Sequence, residues 1–269
     1  MKRGAVLGSP ISHSLSPILH RSAFEFLKIE GTYQAIDVPS GSLADFMAAR
    51  GADFDYFSLT MPLKEEVMGL GYETDSKTAE IQSGNTLFRR DGNWNLTSTD
   101  GSGLISALSH AGLKGFNRVL ILGAGGTARA VTGSLDAIAK EIHILGRSSI
   151  RQEALERSIH KARFEYHRWR VDVDFSEYDL VVNTTPAGAA DLLSDSVQPG
   201  VKAVLFDVIY KPWPTELAKR WKDCGGTVLN GLELLLYQGI DQLEIVLDEK
   251  VDRAALAQHL RAVLGRAAK

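Results

Sequence analysis

The segment from Val119 to Ala130 most strongly limits the folds open to this chain. Four apolar residues lead into Gly123-Ala124-Gly125-Gly126-Thr127, and small residues follow. The pattern predicts a buried strand that turns on glycines directly into a helix. Gly123 permits a tight turn, Gly125 allows close approach of the backbone to a ligand, and Ala128 lets the helix pack near the strand. Because the helix start offers free N–H groups to an anion, the segment predicts a dinucleotide pyrophosphate site. A purely steric use of glycine at the junction is the alternative.

A second predicted strand, Glu141 to Leu145, is followed by Gly146-Arg147-Ser148-Ser149-Ile150-Arg151. An acidic residue at this place would bind the ribose 2′-hydroxyl of NAD, whereas an arginine suits a 2′-phosphate. The sequence therefore predicts NADP as the cofactor. A solvated loop cation is the alternative for Arg147, and an ordinary helix-surface charge is the alternative for Arg151.

Composition narrows the class of protein and of partner. The chain has 269 residues, 44% of them hydrophobic, with a net charge of −3. This length allows two modest domains, and the charge provides no basic field for nucleic acid or an anionic membrane. No apolar run is long enough for a membrane span or a signal peptide, so we expect a cytoplasmic protein with a small-molecule substrate. The single cysteine, Cys224, and the histidine spacing predict neither a disulfide nor a metal site.

Strand and helix signals alternate along both halves of the chain, which predicts an α/β fold with two α/β domains. The first contains a mostly parallel sheet, interrupted by a hairpin at Asp91-Gly92, and the second is a Rossmann-type doubly wound parallel sheet. A helical C-terminal segment is expected to pack back onto the first domain. The predicted boundaries are 1–100 plus 235–269 for a substrate-binding catalytic domain, and 101–234 for an NADP-binding domain.

Three polar clusters follow predicted strands of the first domain, where open parallel sheets bind ligands. Ser14 and Ser16 offer hydroxyls to a small carboxylate, although Ser16 could instead cap its helix, as Ser42 could cap the next. Lys64, beyond a strand end and a proline, could move a proton if it is partly desolvated; a surface lysine is the more common outcome. Asp100 lies where the two domains join, but it could merely cap a helix.

With these motifs in view, the chain resembles the shikimate dehydrogenase family over nearly its whole length. The matching pieces, in order, are Gly8-Ser-Pro-Ile-Ser-His-Ser14-Leu-Ser16-Pro17, Leu59-Thr60-Met-Pro-Leu-Lys64, Gly84-Asn85-Thr86, Thr99-Asp100, Gly123-Ala-Gly-Gly126, Asn183-Thr184-Thr-Pro-Ala-Gly188, Asp207-Val-Ile-Tyr210-Lys-Pro-Trp-Pro-Thr215, Asn230-Gly231 and Gln238-Gly239.

The resemblance implies reversible, NADPH-dependent reduction of 3-dehydroshikimate to shikimate in the route to chorismate and the aromatic amino acids. Lys64 and Asp100 would be the catalytic pair. The implied substrate-binding residues are Ser14 and Ser16 at the carboxylate, and Thr60, Lys64, Asn85, Asp100, Tyr210 and Gln238 around the ring. The expected cofactor-binding residues are Gly123, Ala124, Gly125, Gly126, Thr127, Arg147, Ser148, Arg151, Thr184 and Gly231. A homodimer is also possible.

The chain departs from the family pattern at three positions. Ser98 and Gly146 stand where the family usually has asparagine, and so does Arg21. Ser98 lies near Asp100, so it could shift specificity toward quinate, and Gly146 could affect the affinity for NADP. The competing interpretations are a paralogue that acts on quinate or another hydroxy acid with NADP or NAD, and an inactive ligand sensor.

Overall fold

The computed structural model describes residues 1–268, which form two compact units. The first contains residues 1–103 together with the chain from Leu235 onward, and the second runs from Leu104 to Leu234. Neither contains a helix long and apolar enough to cross a membrane, among the residues described.

The first unit is built on a six-stranded sheet. Its strands are β1 (Lys2–Gly8), β2 (Gly31–Asp37), β3 (Tyr56–Leu59), β4 (Glu73–Thr74), β5 (Thr86–Arg90) and β6 (Asn93–Thr97), in the order β2-β1-β3-β5-β6-β4. Only the pairings of β5, with β3 and with β6, are antiparallel. The predicted hairpin is confirmed, since Asp91 and Gly92 between β5 and β6 have φ of 52° and 83°. Two positive φ angles match the twist of a tight hairpin, which is why Asp-Gly is favoured there.

The second unit contains a fully parallel sheet. Its strands are β7 (Phe116–Leu122), β8 (Ala139–Gly146), β9 (Arg163–Arg168), β10 (Leu180–Asn183), β11 (Val204–Asp207) and β12 (Val228–Asn230), in the order β12-β11-β10-β7-β8-β9. The strand order reverses between β7 and β10, which is the switch point where doubly wound sheets bind ligands. The predicted fold class is therefore confirmed. β9 was not predicted because its residues, Arg-Phe-Glu-Tyr-His-Arg, are mostly polar; it is an edge strand, where polar side chains are tolerated.

The helices cover the apolar sheet faces. They are α1 (Ser16–Leu27), α2 (Leu43–Arg50), α3 (Leu63–Glu66), α4 (Ser76–Ile81), α5 (Asp100–His110), α6 (Gly126–Leu135), α7 (Gln152–Glu156), α8 (Glu216–Asp223), α9 (Gly231–Leu247) and α10 (Arg253–Ala267). α10 packs against α1 within the first unit.

Neither Ser42 nor Ser16 caps its helix through its side chain. Ser42 precedes α2 but its side chain makes no capping bond. The carboxylate of Glu66 instead accepts hydrogen bonds from the backbone N–H groups of Gly41 (2.8 Å) and Leu43 (3.0 Å). Ser16 is the first residue of α1 and not its cap. The hydroxyl of Ser14 accepts from the N–H of Ser16 at 3.3 Å, so the serine two residues earlier serves the helix start.

Candidate functional site

Four polar side chains of the first unit meet at one edge of its sheet. The ammonium of Lys64 donates to Asp100 Oδ2 at 2.5 Å, and the side chains are 15% and 5% exposed. The other carboxylate oxygen, Oδ1, accepts from Asn85 Nδ2 at 2.8 Å. Asn85 Nδ2 also lies 3.3 Å from Gln238 Oε1. The surface lysine and simple helix-cap interpretations of Lys64 and Asp100 therefore do not describe the structure: these groups form a nearly buried, hydrogen-bonded ion pair.

The topology of the sheet brings this cluster together. β3 ends beside the start of the antiparallel β5, where the N–H of Leu59 donates to Asn85 O at 2.8 Å. The N–H of Asn85 in turn donates to Thr97 O at the end of β6 (3.1 Å). Lys64 follows β3 on α3, and Asp100 follows β6 as the first residue of α5. The hairpin thus places residues that are far apart in the sequence at a common edge.

Gln238 reaches the cluster from α9 because α5 and α9 approach closely. A Cβ at Gly103 would lie 2.7 Å from the backbone nitrogen of Gln238. Only glycine permits this separation without a shift of backbone. The amide nitrogen of Gln238 donates to Leu235 O at 2.9 Å, which leaves its oxygen directed toward Asn85.

Asn85 is oriented by its neighbours. Its side-chain oxygen accepts from the Thr99 N–H (2.8 Å) and from the Thr86 hydroxyl (2.8 Å). These donors require oxygen at that position, so the amide nitrogen must face Asp100. Asn85 and Thr86 are almost fully buried, so a rotated amide would leave unpaired polar groups.

A second buried polar layer, which sequence reasoning missed, lies behind the cluster. Gln242 donates to Thr86 Oγ1 at 2.9 Å and accepts from the Ser58 hydroxyl at 2.6 Å. Tyr33 in turn donates to Ser58 Oγ. The spacing of Gln238 and Gln242, one helical turn apart on α9, was the available signal. These hydrogen bonds connect α9 to β3 and β5 beside the Lys64 cluster.

His20 lies beside this layer as a neutral buried imidazole. Its ring stacks on Tyr33 with centroids 4.0 Å apart, and its Nδ1 is 2.9 Å from the Tyr56 hydroxyl. Burial lowers the pKa of His20 from 6.5 to about 3, and the Gln242 side chain nearby partly opposes this effect. His20 is therefore a structural group at neutral pH.

The serines and Thr60 lie on loops at the carboxyl ends of neighbouring strands. β1 pairs with β3, and the loops beyond them meet where the Ser9 N–H donates to Met61 O at 3.1 Å. Ser16 is buried and Ser14 is half-buried. Thr60 is also half-buried. These hydroxyls and the Lys64 cluster therefore follow adjacent strands at the same edge of one sheet.

The glycine turn of the second unit has the geometry of an anion cradle. Gly123 has a φ of +105°, and a Cβ there would lie 2.7 Å from the Thr184 hydroxyl, so no other residue fits. That hydroxyl donates to Leu122 O at 2.7 Å, which ties the ends of β7 and β10 together. Gly125 precedes the first residue of α6, and the nearest atom to a Cβ built on it is Arg151 Nη1, at 3.6 Å. The helix start with Ala124, Gly126 and Thr127 therefore has room for a phosphate, with a guanidinium close by.

The loop after β8 carries Arg147, Ser148 and Arg151, all exposed. Tyr166 on β9 donates from its hydroxyl to the backbone oxygen of Ser148 at 2.5 Å. A Cβ on Gly146 would collide with this same hydroxyl. The departure from the family asparagine at 146 is thus explained, because Tyr166 occupies the space that a side chain there would need.

The remaining predicted residues of the second unit, Tyr210 and Gly231, lie after β11 and at the start of α9. A Cβ at Gly231 would collide with the backbone oxygen of Val208, so glycine is required there for steric reasons. Tyr210 is half-buried. Asp207 anchors the loop that carries Tyr210, since it accepts from Thr215 Oγ1 (2.7 Å) and from Asn183 Nδ2 (3.1 Å). Burial raises the pKa of Asp207, and these hydrogen bonds oppose the increase.

The other two departures lie outside the Lys64 cluster. Ser98 lines a separate depression together with Arg90, Ser102, Asp241 and Arg253. Neither Lys64 nor Asp100 is among the residues that line this depression. Arg21 donates from Nε to the backbone oxygen of Pro17 in its own helix at 3.0 Å.

Comparisons with known proteins name one family in the family model, in the sequence relatives and in most of the similar structures. Residues 6–87 match the model of the shikimate dehydrogenase substrate binding domain. The chain is 33% identical over 255 residues to "Shikimate dehydrogenase (NADP(+))" of Ignicoccus hospitalis, with 90% of this chain and 91% of the relative covered. A Thermus thermophilus shikimate 5-dehydrogenase solved in complex with shikimate is similar at a TM-score of 0.84 and 29% identity, covering 98% and 100% of the two chains. A ligand-free 5-ketofructose reductase of Gluconobacter sp. strain CHM43 is similar at a TM-score of 0.81 and 26% identity, covering 97% and 98%.

Proposed function

Because this chain belongs to the shikimate dehydrogenase family, we propose that it catalyses the reversible, NADPH-dependent reduction of 3-dehydroshikimate to shikimate, a step toward chorismate and the aromatic amino acids. The observation that carries the proposal is the ion pair of Lys64 and Asp100, held by Asn85 and Gln238 at the edge of the first sheet. An intact pair of this kind also argues against an inactive ligand sensor.

The pair suits the reduction of a carbonyl. When bound, NADPH supplies a hydride to the carbonyl carbon. Lys64 stabilises the negative charge that grows on the carbonyl oxygen and donates a proton to that oxygen. Asp100 orients the Lys64 side chain through its hydrogen bond, while Asn85 holds the aspartate by its other oxygen. In the reverse direction the neutral amine of Lys64 accepts the proton from the substrate hydroxyl, as the hydride returns to the cofactor.

The substrate contacts follow the same edge of the sheet. We assign the substrate carboxylate to the hydroxyls of Ser14 and Ser16, and ring hydroxyls to Thr60, Asn85 and Gln238. Tyr210 is assigned to substrate binding on the family resemblance alone. The serine pair favours an acid over a neutral sugar, which is relevant because one structural neighbour is named for 5-ketofructose.

The second unit is assigned the cofactor. Gly123, Ala124, Gly125, Gly126 and Thr127 hold the pyrophosphate by backbone N–H groups, and Thr184 shapes the turn. Arg147, Ser148 and Arg151 bind the 2′-phosphate, because arginine pairs its planar donors with phosphate oxygens. Gly231 contributes by letting α9 start close to the Tyr210 loop. The cytoplasmic location and the homodimer remain predictions.

Steady-state oxidation tests the proposal directly. Purified protein is assayed with shikimate, quinate and a neutral polyol, each with NADP and with NAD, by nicotinamide absorbance. We expect strong turnover with shikimate and NADP only. Preference for quinate or NAD would move the chain to a paralogous activity, and no turnover despite tight NADP binding would identify a sensor.

A further inference from the structure

A cluster of two histidines and a glutamate lies on one face of the second sheet, outside the residues used above. β8 and β9 run parallel, with His143 paired to Glu165 and Leu145 paired to His167. Paired residues, and residues two apart on one strand, point to the same face of a sheet. One ligand atom from each of His143, Glu165 and His167 lies within 4.8 Å of the others.

The separations in this cluster are long for hydrogen bonds. His167 Nε2 is 3.4 Å from His143 Nδ1 and 3.5 Å from Glu165 Oε2. The hydroxyl of Tyr178 lies 3.3 Å from the same His143 Nδ1. Ordinary N–H···O hydrogen bonds are about 2.7–3.2 Å long. By contrast, two nitrogen ligands bound tetrahedrally to one zinc ion at about 2.0–2.1 Å are separated by about 3.3–3.4 Å.

The surroundings hold the ligand atoms in place. Arg163 binds Glu165 Oε1, so the other carboxylate oxygen faces His167. His143 is only 6% exposed, and its other nitrogen, Nε2, makes no hydrogen bond in the structure. That nitrogen lies 3.6 Å from Glu141 Oε2, and Arg118 donates to the same carboxylate oxygen at 2.8 Å. A carboxylate facing the far nitrogen of a ligand imidazole is the usual outer contact of a histidine that binds metal.

We propose that His143 Nδ1, Glu165 Oε2 and His167 Nε2 form a site for a divalent transition metal of the zinc class. Two imidazoles and one carboxylate suit zinc better than magnesium or calcium, which prefer all-oxygen ligands. Glu165 and His167 are about one-third exposed, so a water molecule can complete the coordination. The ion would cross-link the edge strand β9 to β8 and thereby stabilise the second unit.

The spacing of residues in the sequence did not predict this site. The expectation of no metal rested on the spacing of histidines along the chain, and His143 and His167 are 24 residues apart. They become neighbours only through the register of β8 and β9.

Isothermal titration of the chelator-treated full chain with Zn²⁺ alone tests the proposal, and Co²⁺ absorbance reports the geometry. We expect one ion per chain and visible bands typical of tetrahedral Co²⁺. His167→Ala and Glu165→Gln change partly exposed side chains and should retain the fold, while each weakens binding by at least about tenfold. Glu141→Gln, as a positioning residue, should weaken it by about 10- to 100-fold. His160→Ala is the matched control in the same unit and should bind Zn²⁺ as the unmodified chain does.

Two results would overturn the proposal. One is the absence of saturable Zn²⁺ binding to the unmodified chain. The other is binding that both His167→Ala and Glu165→Gln leave unchanged, which would place the ion elsewhere. Because neither readout depends on catalysis, failure here and failure of the proposed activity are separate outcomes.

Discussion

The two ligand regions of this protein are built in opposite ways. In the first unit, Lys64 and Asp100 are nearly buried and every oxygen of the aspartate has a partner. In the second unit, Arg147 and Arg151 are exposed on a loop. One region holds its charges in a fixed, desolvated arrangement, and the other presents its charges to solvent.

This difference follows from what each region is proposed to do. A group that acts on a transition state must be in position before the reaction, because reorganisation during the step would raise the barrier. A group that attracts a phosphate needs only charge and access, and it can tolerate motion. The chain therefore surrounds Lys64 with buried hydrogen bonds and leaves the arginines in water. Salt should therefore have little effect on the interaction of Lys64 with Asp100. It should weaken the attraction of Arg147 and Arg151 for a phosphate, because exposed charges are screened.

The largest expected effect comes from breaking the ion pair. Lys64→Ala and Asp100→Asn should each lower kcat about 10²- to 10⁴-fold, the range for loss of a general acid–base group. Substrate affinity should change much less, because the serine hydroxyls and Thr60 remain. Lys77→Ala, at an exposed lysine of the same unit, is the control. An unchanged kcat in either site variant would show that its assigned role is wrong.

The next effect concerns the buried layer behind the pair. His20 has a folded-state pKa of about 3, against 6.5 for the ordinary group. As pH falls below 6.5 the unfolded chain takes up a proton first, so stability is lost between pH 6.5 and 3. At pH 5 the loss from His20 amounts to about 2 kcal/mol relative to neutral pH.

Urea unfolding at several pH values checks this expectation. His20→Phe removes the titrating group and should flatten the decline between pH 7 and 5, although its stability at pH 7 falls because Tyr56 loses a hydrogen-bond partner. His13→Phe makes the same substitution at an exposed position. A slope that is equal in the His20 variant and the unmodified chain would contradict the assignment of a neutral buried histidine.

These two regions also differ in how much of them the sequence revealed. The glycine turn, the Asp-Gly hairpin and the arginine after β8 are local signals, so periodicity and turn chemistry were sufficient to predict them. The family motifs pointed to Lys64 and Asp100 as a pair. The orientation of Asn85 depends on Thr86 and Thr99. The role of Gln242 on α9 depends on partners at the start of β5, more than 150 residues away in the sequence.

The errors have the same origin. Ser42 occupies the cap position of α2, but a side chain distant in sequence, Glu66, binds the N–H groups on either side of it. β9 lacked an apolar pattern because an edge strand does not require one. The residues of the proposed metal site were not grouped from the sequence, because their proximity depends on strand register. The partners of Ser42, the edge position of β9 and the pairing of β8 with β9 are all set by tertiary structure, which no local window contains.

The third prediction tests the exposed region. Arg147→Ala should weaken NADP binding about tenfold at low salt, close to the lower range for a hydrogen bond to a charged group. The difference from the unmodified chain should shrink as salt rises, since the charge is screened. NAD, which lacks the 2′-phosphate, should bind both proteins equally.

Titration of each protein with NADP and NAD, followed by protein fluorescence at low and high salt, measures these affinities. Arg157→Ala, an exposed arginine of the same unit paired with Glu153, is the control and should resemble the unmodified chain. Equal losses for NADP and NAD would show that Arg147 does not select the 2′-phosphate.

The smallest expected effect tests whether a hydrogen bond holds the exposed loop of the second unit in place, as hydrogen bonds hold Lys64 and Asp100 in the first. Tyr166 donates to Ser148 O, and its hydroxyl fills the space beside Gly146. Tyr166→Phe should therefore loosen the Ser148 loop and weaken NADP binding about two- to threefold, equivalent to the loss of one modest hydrogen bond. NAD binding should not change, since the loop is assigned only to the 2′-phosphate. An equal loss for both cofactors would make Tyr166 a general structural residue. No loss for either would mean that the arginines bind phosphate from a loop that Tyr166 does not hold in place. Only the first region would then hold its charged groups in a fixed arrangement.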